Sequence, residues 1–349
     1  MSESANKSRR IPRRFIVGLL AITIVSAAIA WARVGMLDLP SPPRGVTLES
    51  AGLASLGDYA TWDAYIRRSA TPPKLSGTDA NNHTLMSARI VHDGLSLIKD
   101  GDESGGLAIM ADGVRREPSN LVLGNAYRMA VFELQRAELL AGQKRGILAP
   151  AFSEYLRDEP IAHFESIARE HPTPEVRLQL ALAWVDKMLL FPALEIKAPS
   201  SVEAVKILTD LIDENPGYVP ALFARGLNHL HRPARLVWPE SDKTPKDAAA
   251  RDVGLCVAIG RRLDAGSDRL QARLAIALGD AYVKAGRFNV ARSWWQIAQN
   301  LCHDTNVQSQ VRTRYGWGDH EILDKLEEEL DKARGALDEP MTDLAMMWN

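Results

Sequence analysis

A short segment near the C-terminus, residues 278–299, constrains the fold more than any other part of the chain; its sequence is LGDAYVKAGRFNVARSWWQIAQ. Gly286 tolerates a positive φ and is therefore suited to ending a helix. Gly279 before it and Ala291 after it are small enough to let two helices approach closely. Trp295 is large enough to fill the layer beneath them. The segment predicts two helices that pack as a hairpin.

This order of side chains resembles the tetratricopeptide repeat, a helix–turn–helix unit of about 34 residues. The repeat's leucine, glycine, tyrosine, alanine, aromatic and alanine positions are filled by Leu278, Gly279, Tyr282, Ala291, Trp295 and Ala298. Two positions depart from the pattern, since Ala275 replaces a tryptophan and His303 replaces a proline. The resemblance implies hairpins that stack side by side.

Three upstream segments repeat the spacing of small and apolar residues, namely residues 88–120, 162–184 and 202–226. Each contains a proline that closes a helix, because proline cannot continue one and restrains the residue before it. We therefore predict an all-α protein, an α-solenoid of about five tetratricopeptide-like hairpins over residues 82–303.

Three insertions interrupt the repeat, at residues 142–160, 191–201 and 231–247. We place all three between the first and second helix of a hairpin, so that they emerge along one edge of the solenoid. Their aromatic and arginine content is typical of protein interfaces, although the same residues could pack the loops onto their own scaffold. Trp238 is a candidate partner anchor, because a large aromatic side chain is costly to expose in a polar loop.

The last segment, residues 304–349, is predicted to be a capping helix followed by a tail. Apolar residues form one stripe along the helix while charges surround the rest of it; the stripe comprises Ile322, Leu326, Leu330, Ala333 and Leu337. A one-sided helix of this kind is suited to covering the exposed end of a solenoid.

The N-terminus has the pattern of a membrane signal. Residues 1–14 carry five basic side chains, and an apolar stretch follows within residues 15–34. Basic residues before such a stretch stay in the cytoplasm, so the rest of the chain crosses the membrane. The stretch is either a retained transmembrane signal anchor or a signal peptide cleaved near Ala30. We expect a single-pass protein of the bacterial inner membrane with its body in the periplasm, or else a soluble periplasmic protein. Residues 35–81 are predicted to be a proline-rich linker with a short helix.

Composition excludes several classes of function. The formal net charge is −2, which gives no drive toward nucleic acid. Cys256 and Cys302 are the two cysteines and form no metal-ligand motif; they are either a disulfide or two buried thiols. The chain shows no catalytic or nucleotide-binding motif, and we predict neither a cofactor nor a metal.

Three functions compete: a non-catalytic scaffold that binds a protein partner, a periplasmic binder of peptides or small molecules, and an enzyme with a dispersed site. We favour the scaffold. The resemblance implies assembly of an envelope or membrane complex, with the membrane contacted through the N-terminal helix. Besides Trp238, the candidate partner-binding residues are polar positions on first helices: Asn125, Arg128, Arg225, Asn228, Asp280 and Lys284.

The first prediction concerns topology. Because the basic N-terminus resists translocation, a reporter that folds only outside the cytoplasm should be active when it is fused after Asn349. The matched fusion with a reporter that works only in the cytoplasm should be inactive. The opposite pattern of activities would contradict the predicted orientation.

Overall fold

The structure is a computed structural model that describes residues 39–54, 83–144, 158–191, 194–232, 247–335 and 342–344. Within these residues all regular secondary structure is helical. The helices are α1 His83–Lys99, α2 Glu103–Arg116, α3 Leu121–Lys144, α4 Glu159–Glu170, α5 Pro174–Leu190, α6 Leu194–Glu214, α7 Val219–His231, α8 Ala248–Leu263, α9 Asp268–Lys284, α10 Phe288–Leu301, α11 Thr305–Tyr315 and α12 Ile322–Gly335. Apart from Leu39, every described residue belongs to one compact unit that starts at Pro40.

The helices from α1 to α10 pair as consecutive hairpins. The pairs are α1 with α2, α3 with α4, α5 with α6, α7 with α8, and α9 with α10. The first helices α1, α3, α5, α7, α9 and α11 also contact one another in series, so they form the inner layer of a stack. The described residues thus hold five hairpins between His83 and Leu301, the number predicted from the sequence.

The α9–α10 hairpin shows how closely two helices approach. A Cβ placed on Gly279 would lie 2.4 Å from Nε1 of Trp295 and 3.1 Å from the carbonyl oxygen of Ala291. Gly286 has a φ of 73° and connects the two helices. Trp295 and Ala291 are fully buried. The roles predicted for these four residues are confirmed.

Each insertion lies between the first and second helix of a hairpin, as predicted: between α3 and α4, between α5 and α6, and between α7 and α8. Most of the first and third insertions, including Trp238, lies outside the described residues. The prediction of a loop over residues 191–201 is wrong for most of that range, because α6 already begins at Leu194 and contains Pro199. Helix α6 packs along α5, and this packing offsets the backbone hydrogen bond that proline removes.

Part of the predicted proline-rich linker belongs to the folded body. The amide of Val219 donates a hydrogen bond of 3.1 Å to the carbonyl oxygen of Ala51, and Arg262 donates one of 3.1 Å to that of Pro43. Ala51 and Leu53 are buried. Residues 40–54 therefore lie against α7 and α8 rather than forming a free spacer. The rest of the linker, with nearly all of its predicted short helix, is outside the described residues.

The C-terminal helices take positions other than the predicted one. Helix α11 packs on α9 and α10 and covers the last hairpin, whereas α12 packs on the first helices α9 and α7. Ile322, Leu326 and Leu330 of α12 are buried. Of the other two residues of the predicted stripe, Ala333 is exposed and Leu337 lies outside the described residues. Helix α12 lies across the inner layer instead of capping the end of the stack. The inner layer offers two helices to the stripe, and the last hairpin already has α11 as its neighbour.

The two cysteines are not bonded to each other. The buried thiol of Cys256 donates a weak hydrogen bond of 3.7 Å to the carbonyl oxygen of Val219. Burial also raises the pKa of this thiol well above its ordinary value. Of the two alternatives left open by the sequence, the disulfide is not formed; the thiol of Cys256 is buried, whereas Cys302 is half-buried.

No helix among the described residues is long and apolar enough to cross a bilayer. The predicted transmembrane segment, residues 15–34, lies outside those residues.

Substitutions in α10 test the hairpin. Ala291→Leu places extra methyl groups between α9 and α10 and should reduce the free energy of unfolding by roughly 1–3 kcal/mol. Ser293→Leu is the matched control, because Ser293 is exposed on the same helix. Urea unfolding followed by circular dichroism measures both variants. Equal unfolding midpoints would contradict the close crossing at Ala291.

A buried histidine in the α3–α4 hairpin predicts acid sensitivity. Burial and, to a smaller extent, the nearby Arg115 lower the pKa of His163 to about 4 from an ordinary value of 6.5. The imidazole packs against the rings of Tyr127 and Phe164, with ring centroids 4.7 and 5.6 Å away. Between these two pKa values the unfolded chain binds a proton that the folded chain excludes. The part of the stability that depends on a neutral His163 is therefore fully present above pH 6.5 and is lost progressively as the pH falls toward 4.

Replacing this histidine should flatten the pH profile. Protonation of His163 should lower the free energy of unfolding by about 3 kcal/mol over that pH range. The variant His163→Phe cannot be protonated, so it should lose less stability in acid, by at most this amount. Urea unfolding at a series of pH values between 4 and 7 measures it. Parallel profiles for the parent and the variant would show that His163 does not titrate as inferred.

Candidate functional site

The inner layer holds six of the residues predicted to bind a partner. Each lies on a first helix, as expected: Asn125 and Arg128 on α3, Arg225 and Asn228 on α7, and Asp280 and Lys284 on α9. The structure places none of them free on the surface, because the side chains of all six are largely buried. Their role in partner binding stays a prediction, and their contacts inside the chain differ from one helix to the next.

The α9 residues bind other parts of the chain itself. The carboxylate of Asp280 accepts hydrogen bonds from Trp295 at 3.0 Å and from Arg314 at 2.7 and 2.6 Å, which ties α9 to α10 and α11. The ammonium of Lys284 lies 2.8 Å from the carboxylate of Glu327 on α12. It also donates to the carbonyl oxygen of Arg232 at 2.5 Å. At this end the chain's own C-terminal helix covers the inner layer.

On α7 the two candidate residues differ in how completely they are paired. Arg225 donates two hydrogen bonds of 2.7 and 2.9 Å to the carboxylate of Asp252 on α8. The amide oxygen of Asn228 accepts a hydrogen bond of 3.2 Å from Ser201. The amide nitrogen of Asn228 is buried and has no hydrogen-bond partner among the described residues. Asn228 therefore retains an unused donor.

On α3 the guanidinium of Arg128 is fully buried at the centre of a polar network. It donates to the amide oxygen of Gln179 at 2.8 Å and to that of Asn125 at 2.9 Å. A third nitrogen forms an ion pair with the carboxylate of Asp186. Because Gln179 and Asp186 belong to α5, the network fixes the guanidinium between two first helices.

The same network binds the backbone of residues 342–344. Arg128 donates a hydrogen bond of 2.5 Å to the carbonyl oxygen of Thr342, and the amide of Leu344 donates one of 3.1 Å to the side-chain oxygen of Asn125. Two side chains of the segment are held as well. The amide of Asn125 donates to the carboxylate of Asp343 at 2.8 Å, and the hydroxyl of Thr342 donates to Asp186 at 2.5 Å.

Beside this network, α5 and α7 form a recess that is mostly apolar. It encloses about 490 Å³, part of which is open solvent. Leu344 lines the recess and is 3 % exposed. The other lining residues from the two helices are Leu182, Val185, Met188, Leu189, Phe223, Ala224, Leu227, Asn228 and His231. We call the network and this recess together the inner groove.

Charge in the inner groove is largely neutralised from within. Burial raises the pKa of Asp186, while the Arg128 guanidinium and the Thr342 hydroxyl oppose that shift. The groove therefore presents directed hydrogen-bond donors and acceptors rather than a strong net charge.

The sequence analysis missed Gln179 and Asp186, although a signal for both was present. They stand seven residues apart in the otherwise apolar stretch LQLALAWVDKMLL, a spacing that places both on one face of a helix. Two polar groups on one face of a buried helix need partners. The contact with residues 342–344 had no such signal, because no local pattern joins two segments more than two hundred residues apart.

Comparison with known sequences and structures does not assign the chain to a family. No protein-family profile and no curated protein sequence matches the chain. Among solved structures, the chain is similar to the crystal structure of a thermophilic TPR protein from Thermus thermophilus. The two share 15 % sequence identity with a TM-score of 0.40, and the match covers 65 % of this chain and 97 % of the other.

The buried ion pair predicts a large cost for removing one partner. Arg128→Met leaves the carboxylate of Asp186 buried without its guanidinium and should reduce the free energy of unfolding by about 3–5 kcal/mol. The double variant Arg128→Met/Asp186→Leu should lose less than the sum of the two single variants. Chemical denaturation measures all three.

Arg136→Met is the control for this series. Arg136 lies on the same helix and pairs with the exposed Glu133, so the contribution of that pair should stay below about 1 kcal/mol. If Arg128→Met costs no more than Arg136→Met, the network does not join α3 to α5.

Proposed function

We propose that the protein is a non-catalytic scaffold whose inner groove binds an extended segment of a partner protein. The observation that carries the proposal is a pair of hydrogen bonds to the backbone of residues 342–344: Arg128 donates to the carbonyl oxygen of Thr342, and the side-chain oxygen of Asn125 accepts from the amide of Leu344. Backbone amides and carbonyls are present in every peptide, so the same two side chains can hold the main chain of another protein.

The groove is pre-organised for this role. Arg128 is already fixed by Gln179 and Asp186, and so little side-chain entropy is lost when a peptide binds. The recess next to it is lined mostly by apolar side chains, so it suits an apolar side chain of a bound peptide. Main-chain hydrogen bonds then contribute affinity, and the recess contributes selectivity.

The cellular setting is a further part of the proposal. Five basic residues before an apolar stretch support a single-pass protein of the bacterial inner membrane with its body in the periplasm. A body held at the membrane surface would bind protein partners of an envelope or membrane complex. Cleavage after the apolar stretch would leave the same groove on a soluble periplasmic protein.

Photo-crosslinking from defined positions tests the proposed function. A photoreactive amino acid at Met188, which lines the recess, should form adducts with a partner protein in cells. The same amino acid at Ser293, which is exposed on α10, is the matched control and should form none. Adducts identified by mass spectrometry should re-form between purified proteins. Equal adducts from both positions, or none from Met188, would contradict binding in the inner groove.

A further inference from the structure

We propose that residues 342–344 are a built-in competing ligand of the inner groove, and that the partner displaces them with an extended peptide containing an acidic residue followed by a large apolar one. The inference rests on the proposed function and deepens it in two ways. It names the chemistry of the bound peptide, and it adds a form of regulation within the chain.

The contacts of the segment are those of a bound peptide. Thr342, Asp343 and Leu344 each make a different kind of contact: a hydroxyl donates to the carboxylate of Asp186, a carboxylate accepts from the amide of Asn125, and a buried apolar side chain lines the recess. The main chain is bound at both ends of the tripeptide. These contacts fix one register, so they define what a competing peptide has to supply.

The groove is complete without the segment. Arg128 keeps Gln179, Asn125 and Asp186 as partners when residues 342–344 leave. Gln179 also keeps its hydrogen bond of 3.2 Å to the carbonyl oxygen of Leu121. Departure of the segment exposes these groups to solvent but breaks none of the contacts between α3 and α5. The solenoid should therefore stay folded with an open groove.

The segment does not satisfy the whole groove. Asn228 on α7 lines the recess and is 6 % exposed, and its buried amide nitrogen has no hydrogen-bond partner among the described residues. A buried donor without a partner is unfavourable. A partner peptide that offers a carbonyl or carboxylate oxygen there gains a hydrogen bond that the segment itself does not make. This difference lets a partner displace a ligand that is part of the same chain.

The link between the segment and α12 explains why a competitor needs the full set of contacts. Residues 336–341 separate Gly335 at the end of α12 from Thr342. A short link keeps the effective concentration of the segment near the millimolar range. Weak ligands are then excluded, while a peptide with the full set of contacts still binds.

Direct competition tests the inference on the full-length chain in detergent micelles. The probe is a fluorescent peptide with the sequence of residues 336–349. In the Leu344→Asp variant the chain's own segment loses its apolar contact, so the variant should bind the probe at least ~10-fold more tightly than the parent does. Leu323→Asp is the matched control, because Leu323 is exposed on α12, and it should bind the probe as weakly as the parent.

Two further variants define the site of binding. Adding Asn125→Ala to Leu344→Asp should return the affinity for the probe to the parent's level, because the clamp on the backbone is lost. Asp343→Lys, which keeps Leu344, should also open the groove to the probe. A probe in which lysine replaces the residue equivalent to Asp343 should not bind any of these variants.

Several results would overturn the inference. If both opened variants keep the parent's melting temperature but bind the probe no better, the segment is not a competitor. If both melt at lower temperature and bind no probe, the segment is an integral part of the fold. If the probe does not bind but a partner still crosslinks to position 188, only this inference is contradicted. If the probe binds tightly but no partner crosslinks to position 188, the proposed function is contradicted instead.

Discussion

The fully buried guanidinium of Arg128 is the interaction on which the inner layer depends. It joins α3 to α5 through Gln179 and Asp186, and it binds the carbonyl oxygen of Thr342 on its remaining side. Desolvating such a group is costly unless all its donors are paired. The partners Gln179, Asn125 and Asp186 pair all three nitrogens within the solenoid and fix the relative position of two first helices. The nitrogen that donates to Asn125 also donates to the peptide backbone at Thr342.

Similar arginine–aspartate pairs recur along the stack. Each joins a first helix to a neighbouring helix, and the three pairs are Arg128 with Asp186, Arg225 with Asp252, and Arg314 with Asp280. Apolar packing alone tolerates small shifts of one helix along another, whereas a buried ion pair is satisfied in one arrangement only. We infer that these pairs set the register of the hairpins. The α3 pair differs from the other two because it also contacts residues 342–344.

The hairpins were predictable because their determinants are local. Gly279, Gly286 and Trp295 lie within one short segment, and helical spacing alone indicates which of them meet. The positions of six candidate residues on first helices followed from the same spacing. Their contacts did not, because Asp280 meets Arg314 and Lys284 meets Glu327 only after α11 and α12 have packed on α9. A stripe of apolar residues shows that α12 is half-buried, but it does not show which helices bury it.

The two C-terminal elements in the inner layer differ in how firmly they are held. Helix α12 buries three large apolar side chains, Ile322, Leu326 and Leu330, and adds the ion pair to Lys284. Burial of each such side chain contributes about 1.5–3 kcal/mol, so α12 is a permanent part of the fold. Residues 342–344 bury a single large apolar side chain, that of Leu344, and otherwise use hydrogen bonds that water or another peptide can replace. Helix α12 thus covers one part of the inner layer permanently, whereas residues 342–344 cover the groove beside Arg128 in a way that a partner peptide can replace.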